Sequence, residues 1–331
     1  MGILKMRPSN KSKKNILNGI LIKPSYMNIL KKTTFPFFIA TLFVSALCTS
    51  QDKNKSDIVK MGAELELVAE DYDFTEGPAV DAEGNVYFTD QPNNRIMKWE
   101  ASDNSVTEFM KPSGRSNGLY LDDEGNLLSA ADEKNELWSI DPDKNVTVLV
   151  DGFEGKKLNG PNDLWIDDKG GIYFTDPYYQ RKWWKHQEDP QEARRVYYMD
   201  AGSDSPRIVS DEDYGQPNGI IGSPDGKTLY VSDNGKKKTY VFDIGENGEL
   251  SNRKLFADMG SDGMTLDHLG NVYLTGDGVT VFDKAGNQIQ HIAVPEKWTA
   301  NVTFGGPEQD ILFITAMDSI YTLAMNVHGV R

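Results

Sequence analysis

The chain has 331 residues, with 35 Lys and Arg against 50 Asp and Glu, 30 Gly and a single Cys. A hydrophobic content of 38% with 10% aromatic residues is enough for a large core and excludes global disorder. The net charge of −15 argues against a sequence-independent grip on nucleic acid, which needs surplus cations. The lone Cys excludes an intrachain disulfide framework and a cysteine-built zinc site.

The first 48 residues are typical of an export signal. They contain eight cations and no Asp or Glu, and the uncharged run from Phe35 to Leu47 has the length of a signal-peptide core rather than of a membrane span. A basic leader at 27–32 indicates that translation begins at Met27. Cleavage after Cys48 is expected, with lipid attachment to that Cys as the alternative. Both predict an exported protein, periplasmic or secreted, whose mature charge is −23.

One phrase recurs six times after residue 60: a short apolar strand, a turn of the type Asp-x-x-Gly-Asn, and a β-rich run that ends in Asp. The copies cover residues 76–90, 117–132, 162–176, 218–233, 262–277 and 301–318. Their first residues lie 41, 45, 56, 44 and 39 positions apart, and the first five copies carry the turn Gly eight positions in. Four strands per unit at this period is typical of a propeller blade. The sequence therefore predicts an all-β, six-bladed β-propeller over residues 61–331. It also predicts a polar linker at 49–60 and a closing strand for the last blade within 64–72.

Every copy begins with an oxygen-bearing side chain. The first strand of each blade lies nearest to the central channel, so these six side chains, the axial residues, are expected to meet at one rim. They are Glu76, Asn117, Asn162, Asn218, Asp262 and Asn301. Two carboxylates with amide oxygens, without His or Cys, suit a hard divalent cation such as calcium. Any one Asn or Asp alone would indicate only a turn, so the predicted metal site depends on the shared register.

The chain resembles the gluconolactonase, regucalcin (senescence marker protein) and luciferin-regenerating enzyme family of calcium-dependent six-bladed propellers. The motifs that carry this resemblance are TEGP (75–78), LNGPNDLW (158–165), YFTDPYY (173–179), QPNGI (216–220), SDGM (261–264) and NVTFGG (301–306). The likeness covers nearly everything after residue 60. It is strongest to bacterial gluconolactonases, because LNGPND is followed by FTDP.

The resemblance implies a calcium site and the hydrolysis of a lactone. It implies metal ligation by Glu76, Asn218 and Asp262, and it makes Asp262 the general base. Asn162 is implied either as a further metal ligand or as a substrate contact, and Asn117 as a substrate contact. Magnesium, manganese or zinc could replace calcium in the test tube.

The segment after the third copy is expected to shape the pocket. Asp176 and Tyr178, in the FTDPYY motif, are interpreted as substrate-binding residues. The third interval is long because of an insertion at 180–195, and its Trp183 and Trp184 could cover the pocket. Bacterial gluconolactonases often carry a His after the second copy, where this chain has AADEKNELW, so substrate contacts there are expected to differ.

Other catalytic patterns fit the chain poorly. Residues 114–118 match the Gly-x-Ser-x-Gly motif of serine hydrolases, but they precede an inner propeller strand rather than forming a turn between a strand and a helix. The four His residues share no register. The sequence thus predicts an exported, calcium-dependent hydrolase of an aldonolactone such as gluconolactone, with no nucleic acid partner and no membrane span. Hydrolysis of another ester or an organophosphate, and a non-catalytic calcium-stabilised binding propeller, remain the alternatives.

Overall fold

The structure is a computed structural model that describes residues 58–210 and 213–330. The predicted signal, the cleavage position at Cys48 and most of the predicted linker lie outside the described residues. Within the described ranges, no helix has both the length and the hydrophobicity needed to cross a membrane.

The described residues form six antiparallel sheets of four strands each, the predicted six-bladed propeller. The first strand of the chain, β1 (Glu66–Ala69), belongs to blade 6. Blade 1 contains β2 (Thr75–Val80), β3 (Val86–Asp90), β4 (Arg95–Glu100) and β5 (Ser105–Met110), with a 3-10 turn at Gln91–Asn93. Blade 2 contains β6 (Ser116–Leu121), β7 (Leu127–Ala131), β8 (Glu136–Ile140) and β9 (Val146–Val150).

The remaining blades follow in chain order. Blade 3 contains β10 (Leu164–Ile166), β11 (Ile172–Asp176), β12 (Arg195–Met199) and β13 (Arg207–Ile208). Blade 4 contains β14 (Pro217–Gly222), β15 (Thr228–Asp233), β16 (Lys238–Ile244) and β17 (Leu250–Ala257). Blade 5 contains β18 (Met264–Leu266), β19 (Val272–Gly276), β20 (Gly278–Phe282) and β21 (Gln288–Ile292). Blade 6 contains β22 (Thr299–Gly305), β23 (Ile311–Ala316), β24 (Ser319–Ala324) and the early strand β1.

The ring closes through both ends of the domain. Strand β1 pairs antiparallel with β24, and Glu66 lies opposite Thr322. A further bridge joins Val59 to Met325. The prediction that residues 64–72 supply the closing strand is confirmed. Closure satisfies backbone groups that an open sheet edge would leave unpaired.

The repeated turn has one chemical basis. In blade 1, Asp81 accepts the backbone N–H of Asn85 at 2.8 Å, and Gly84 adopts a φ of +87° that favours glycine. The same Asp-to-N–H bond recurs in blade 2, where Asp122 accepts from Asn126 at 2.8 Å. The bond is also present in blades 3 and 5, from Asp167 and Asp267, whereas Ser223 takes this position in blade 4. In these blades the turn fixes the register of the first two strands and so the height of the axial residue.

The inner strands begin irregularly beside the channel. The β2–β3 pairing shifts register between Glu76 and Ala79, at the point where the axial side chain leaves the regular ladder. Gly77 has a φ of +43°, and a Cβ there would lie 2.1 Å from the carbonyl oxygen of Asn117. Glycine at this position therefore lets two neighbouring inner strands approach closely enough to form a narrow channel.

Candidate metal centre and active site

A cavity of about 660 Å³ opens at the rim where the inner strands begin. Four of the six axial residues line it: Glu76, Asn117, Asn162 and Asp262. Glu76, Asn117 and Asn162 are 4%, 3% and 5% exposed, so they lie at its most enclosed part. A fifth, Asn218, is 1% exposed and is hydrogen-bonded to Asp262. The structure thus brings together the residues that the register predicted.

Asp262 is held by donors on both of its carboxylate oxygens. Asn218 Nδ2 donates to Oδ1 at 2.7 Å, and Trp298 Nε1 donates to Oδ2 at 2.6 Å. The same amide nitrogen of Asn218 lies 3.0 Å from the Tyr179 hydroxyl oxygen. Asp262 is therefore fixed in orientation by blades 4 and 6 together.

The ionised forms of the two axial carboxylates, Glu76 and Asp262, are both destabilised by burial. Burial raises the pKa of Glu76 well above its usual range, and the negative charge of Asp262 raises it further. Burial also raises the pKa of Asp262, against the hydrogen bonds from Trp298 and Asn218 that lower it. A positive charge between them would relieve both effects.

Two amide oxygens at the site have no partner. Asn117 Oδ1 and Asn218 Oδ1 are buried and accept no hydrogen bond from the described residues. A buried polar atom without a partner is costly, so each unpaired oxygen indicates a ligand at that point. In the described ranges no three His, Cys, Asp or Glu side chains are arranged to hold a metal. A cation here would need amide oxygens beside the two carboxylates, which is the donor set that calcium accepts.

The sixth axial residue, Asn301, has a different role. Its Nδ2 donates to Glu76 Oε2 at 3.2 Å, and its Oδ1 accepts the backbone N–H of Val302 at 2.8 Å. Its amide is thus engaged within the protein, and it orients Glu76 rather than offering a free oxygen. The expectation that all six axial residues face one ion is corrected in this respect.

Asp163 is a buried acid that sequence reasoning missed. It follows Asn162 at the register position that four other copies fill with Gly, and it is 7% exposed. Burial raises its pKa to about 7, with the charge of Asp262 adding to the effect. Comparing the residue after each axial residue would have revealed it.

Asp176 and Tyr178 lie outside the cavity wall. Asp176 is fully buried and accepts the backbone N–H groups of Asn159 and Gly160, each at 2.8 Å. Tyr178 has a φ of +65° and donates its hydroxyl to Gln180. The next residue, Tyr179, lines the cavity instead. Substrate binding by Asp176 and Tyr178 stays a prediction that their placement does not favour.

The insertion reaches the cavity through one side chain, Arg181. Trp184 is 7% exposed, and its Nε1 donates to the backbone oxygen of Asp132 at 2.7 Å, which anchors the insertion to blade 2. Trp183 stacks against the Arg115 guanidinium, 4.5 Å from its ring centre. Neither Trp lines the cavity, so the tryptophans secure the insertion rather than cover the site.

Trp298 and Arg181 are site residues without a sequence signal strong enough to identify them. Trp298 lies in the loop before β22, and Arg181 lies in the insertion between β11 and β12, so neither belongs to the repeated phrase. The only cue for Trp298 is its place three residues before Asn301. In the Gly-x-Ser-x-Gly motif, Ser116 begins the inner strand β6, is fully buried, and donates its hydroxyl to the backbone oxygen of Ser113 at 2.6 Å.

The chain belongs to the SMP-30/gluconolactonase/LRE-like family, whose model matches residues 74–318. It is 29% identical over 305 residues to a gluconolactonase of Zymomonas mobilis, which covers 82% of this chain and 84% of that protein. It is also 26% identical over 275 residues to the diisopropyl-fluorophosphatase of Loligo vulgaris, with 75% and 87% covered. At the level of the family, these comparisons support a lactonase-like hydrolase.

Solved structures agree with the fold. A gluconolactonase from Xanthomonas campestris superposes with a TM-score of 0.75 at 29% identity, covering 81% of this chain and 91% of that one. A calcium-binding regucalcin from Agrobacterium tumefaciens superposes with a TM-score of 0.67 at 20% identity, covering 81% and 96%. The second likeness shows the propeller fold alone.

Proposed function

We propose that the protein is a calcium-dependent lactonase that hydrolyses a sugar lactone such as gluconolactone. The observation that carries the proposal is the pair of unpartnered buried oxygens, Asn117 Oδ1 and Asn218 Oδ1, beside Glu76 and Asp262 in the cavity. Glu76, Asn162, Asn218 and Asp262 would hold the cation, and the free oxygen of Asn117 makes it a further candidate. The gluconolactonase relatives supply the substrate class, and the set of two carboxylates with amide oxygens supports calcium as the ion.

The bound cation would polarise the lactone carbonyl and lower the pKa of the attacking water. Asp262 then accepts a proton as the water oxygen bonds to the carbonyl carbon. The bond from that carbon to the ring oxygen breaks, and the proton passes to the departing ring oxygen. Asn218 and Trp298 hold Asp262 in place for this transfer, and Tyr179 braces Asn218.

A panel of sugar lactones, assayed with calcium and with a chelator, tests the proposal. Acid release that requires the ion supports a lactonase. A dialkyl fluorophosphate included in the panel tests the alternative ester or organophosphate activity, since one relative carries that name. Chelator-sensitive melting with no turnover of any substrate would instead identify a binding propeller.

We also propose that the protein is exported, from the basic leader and apolar run before Cys48. The N-terminal sequence of the protein recovered from its native cell tests this. A mature chain that starts after Cys48 supports cleavage, a lipid-blocked Cys48 supports anchoring, and a chain that retains residues 27–47 overturns both.

A further inference from the structure

One of the two cations at the cavity wall, Arg181, has hydrogen-bond donors that no described residue accepts. Arg181 lines the cavity and uses only its Nε, which donates to Asp132 Oδ2 at 2.7 Å. Its two terminal amino groups make no hydrogen bond to a described residue, and its side chain is 22% exposed. A guanidinium has five donors in a fixed planar fork, so most of its hydrogen-bonding capacity is left for a ligand.

The side chain of Arg181 is held in place by contacts with buried residues. Asp132, its partner, is 1% exposed, and the same oxygen also accepts Gln91 Nε2 at 3.0 Å. The guanidinium carbon lies 5.6 Å from the ring centre of Tyr179 and 5.8 Å from that of Trp183. With an anchored carboxylate on one side and two rings beside it, the fork is held in one orientation before any ligand arrives.

The charged side chains around Arg181 are compatible with an anion bound at this wall of the cavity. Lys237 is a second cation that lines the cavity. Of the carboxylates outside the axial ring, Asp258 is paired with Lys238 at 3.3 Å and Asp277 is exposed.

We propose that Arg181 makes the site select a lactone that carries a second, anionic group, such as a carboxylate, over its uncharged counterpart. This inference rests on the proposed lactonase function. Because Arg181 and the axial residues line the same cavity, a lactone whose carbonyl binds at the axial residues could place its far end beside Arg181. Two parallel N–H groups of the fork can bind both oxygens of a carboxylate there, an interaction stronger than one with a neutral hydroxyl.

Two lactones test the selection in the calcium-loaded protein. D-glucono-1,4-lactone and D-glucaro-1,4-lactone share one ring and differ at C6, which is a hydroxymethyl group in the first and a carboxylate in the second. We expect kcat/KM to be about 10-fold or more higher for the carboxylate lactone, and Arg181→Met to abolish that preference. Lys182→Met is the matched control, because it removes an exposed cation of the same insertion that does not line the cavity, and it should leave the preference unchanged.

Equal rates for the two lactones in the unmodified protein, or an equal loss of both in Arg181→Met, would overturn the inference while leaving the lactonase function intact. Binding of the open-chain acids, measured by calorimetry, separates the two proposals. If no lactone is hydrolysed but glucarate binds more tightly than gluconate only when Arg181 is present, the anion subsite stands and the proposed function fails. If Arg181→Met leaves glucarate binding unchanged, the subsite is refuted whatever the turnover.

Discussion

The indole nitrogen of Trp298 lies 2.6 Å from Oδ2 of Asp262, although the two residues belong to different blades and Trp298 is 39% exposed. Replacing it with Phe keeps an aromatic ring and removes the donor. We expect Trp298→Phe to lower kcat about 10-fold with a change in KM of less than about threefold, because the carboxylate loses one of its two orienting bonds. Steady-state kinetics on a lactone would measure both parameters. Trp183→Phe, outside the cavity wall, should leave kcat unchanged, and an equal loss in both variants would contradict the assignment.

The general base itself offers a sharper test. Asp262→Asn keeps the size of the side chain but removes the charge and the proton acceptor, so kcat should fall by about 1,000-fold or more while the protein stays folded. Circular dichroism and the melting temperature would confirm the fold. Asp277→Asn is the control, since this exposed acid lines the same cavity away from the axial residues. Near-normal turnover by Asp262→Asn would overturn its role.

Because Asn117 Oδ1 has no partner among the described residues, replacing Asn117 should weaken calcium binding without lowering the stability of the metal-free protein. Asn117→Leu should weaken calcium binding about 10-fold or more, and it should leave the metal-free protein equally stable or more stable because an unsatisfied buried oxygen disappears. Calorimetric calcium titration and chelated melting curves measure the two effects. Asn234→Leu, in the cavity but outside the axial ring, should not change calcium affinity. If Asn117→Leu destabilises the chelated protein and binds calcium normally, the amide has a structural role only.

The buried acids make the metal-free protein less stable as the pH rises. Burial raises the pKa of Asp163 to about 7, whereas an unfolded Asp titrates near pH 4. Between those values the folded state holds a proton that the unfolded state releases, so each unit of rising pH removes stability until the folded carboxyl has ionised. For chelated protein we expect Asp163 alone to lower the free energy of unfolding by roughly 3 kcal/mol between pH 5 and pH 8.

Urea unfolding at the two pH values measures this loss, and Asp163→Asn should remove its share, while Asp176 and Asp132, whose pKa values burial raises to about 7 and about 6, still contribute. Calcium should offset the loss in the unmodified protein, because the ion favours the ionised carboxylates. A chelated protein that gains stability from pH 5 to pH 8 would contradict the explanation.

The narrowness of the channel depends on Gly77. A Cβ at this position would lie 2.1 Å from the Asn117 carbonyl oxygen, so Gly77→Ala should cost about 3 kcal/mol or more and should also weaken calcium binding. Gly125→Ala is the matched comparison, because its φ of +81° imposes the same kind of backbone strain while no atom lies within 4 Å. Its cost should be about 1 kcal/mol, with normal calcium affinity. Equal costs for both variants would show that backbone strain, not the close approach, decides the effect.

The sequence predicted the features that repeat and missed those that occur once. The register of the turn glycines and of the axial oxygens implied six blades, the closing strand and the convergence of Glu76 with Asp262, because a propeller places equivalent positions together. Repetition could not show that Asn301 uses up its amide on Glu76 and Val302. The hydrogen bonds of the Asn301 amide depend on the rotamer that its side chain adopts beside Asp163.

Loop residues were the harder part. Trp298 and Arg181 reach the site from connections with no repeating pattern. Tyr179 lines the cavity, whereas Tyr178, which has a φ of +65°, does not. In an irregular loop, either of two adjacent residues can face the cavity, as Tyr178 and Tyr179 illustrate. Motif reading alone cannot fix that direction.

The pairing of β1 with β24 has a consequence for biosynthesis. Blade 6 needs both the first and the last strands of the domain, so the nascent chain cannot complete its ring until nearly all of it has left the ribosome. The isolated bridge between Val59 and Met325 also joins the two ends of the domain, so it too can form only after the last strand has been synthesised. A premature stop before β24 would leave β23 with an open edge, and the truncated product would be prone to degradation or to pairing with another chain.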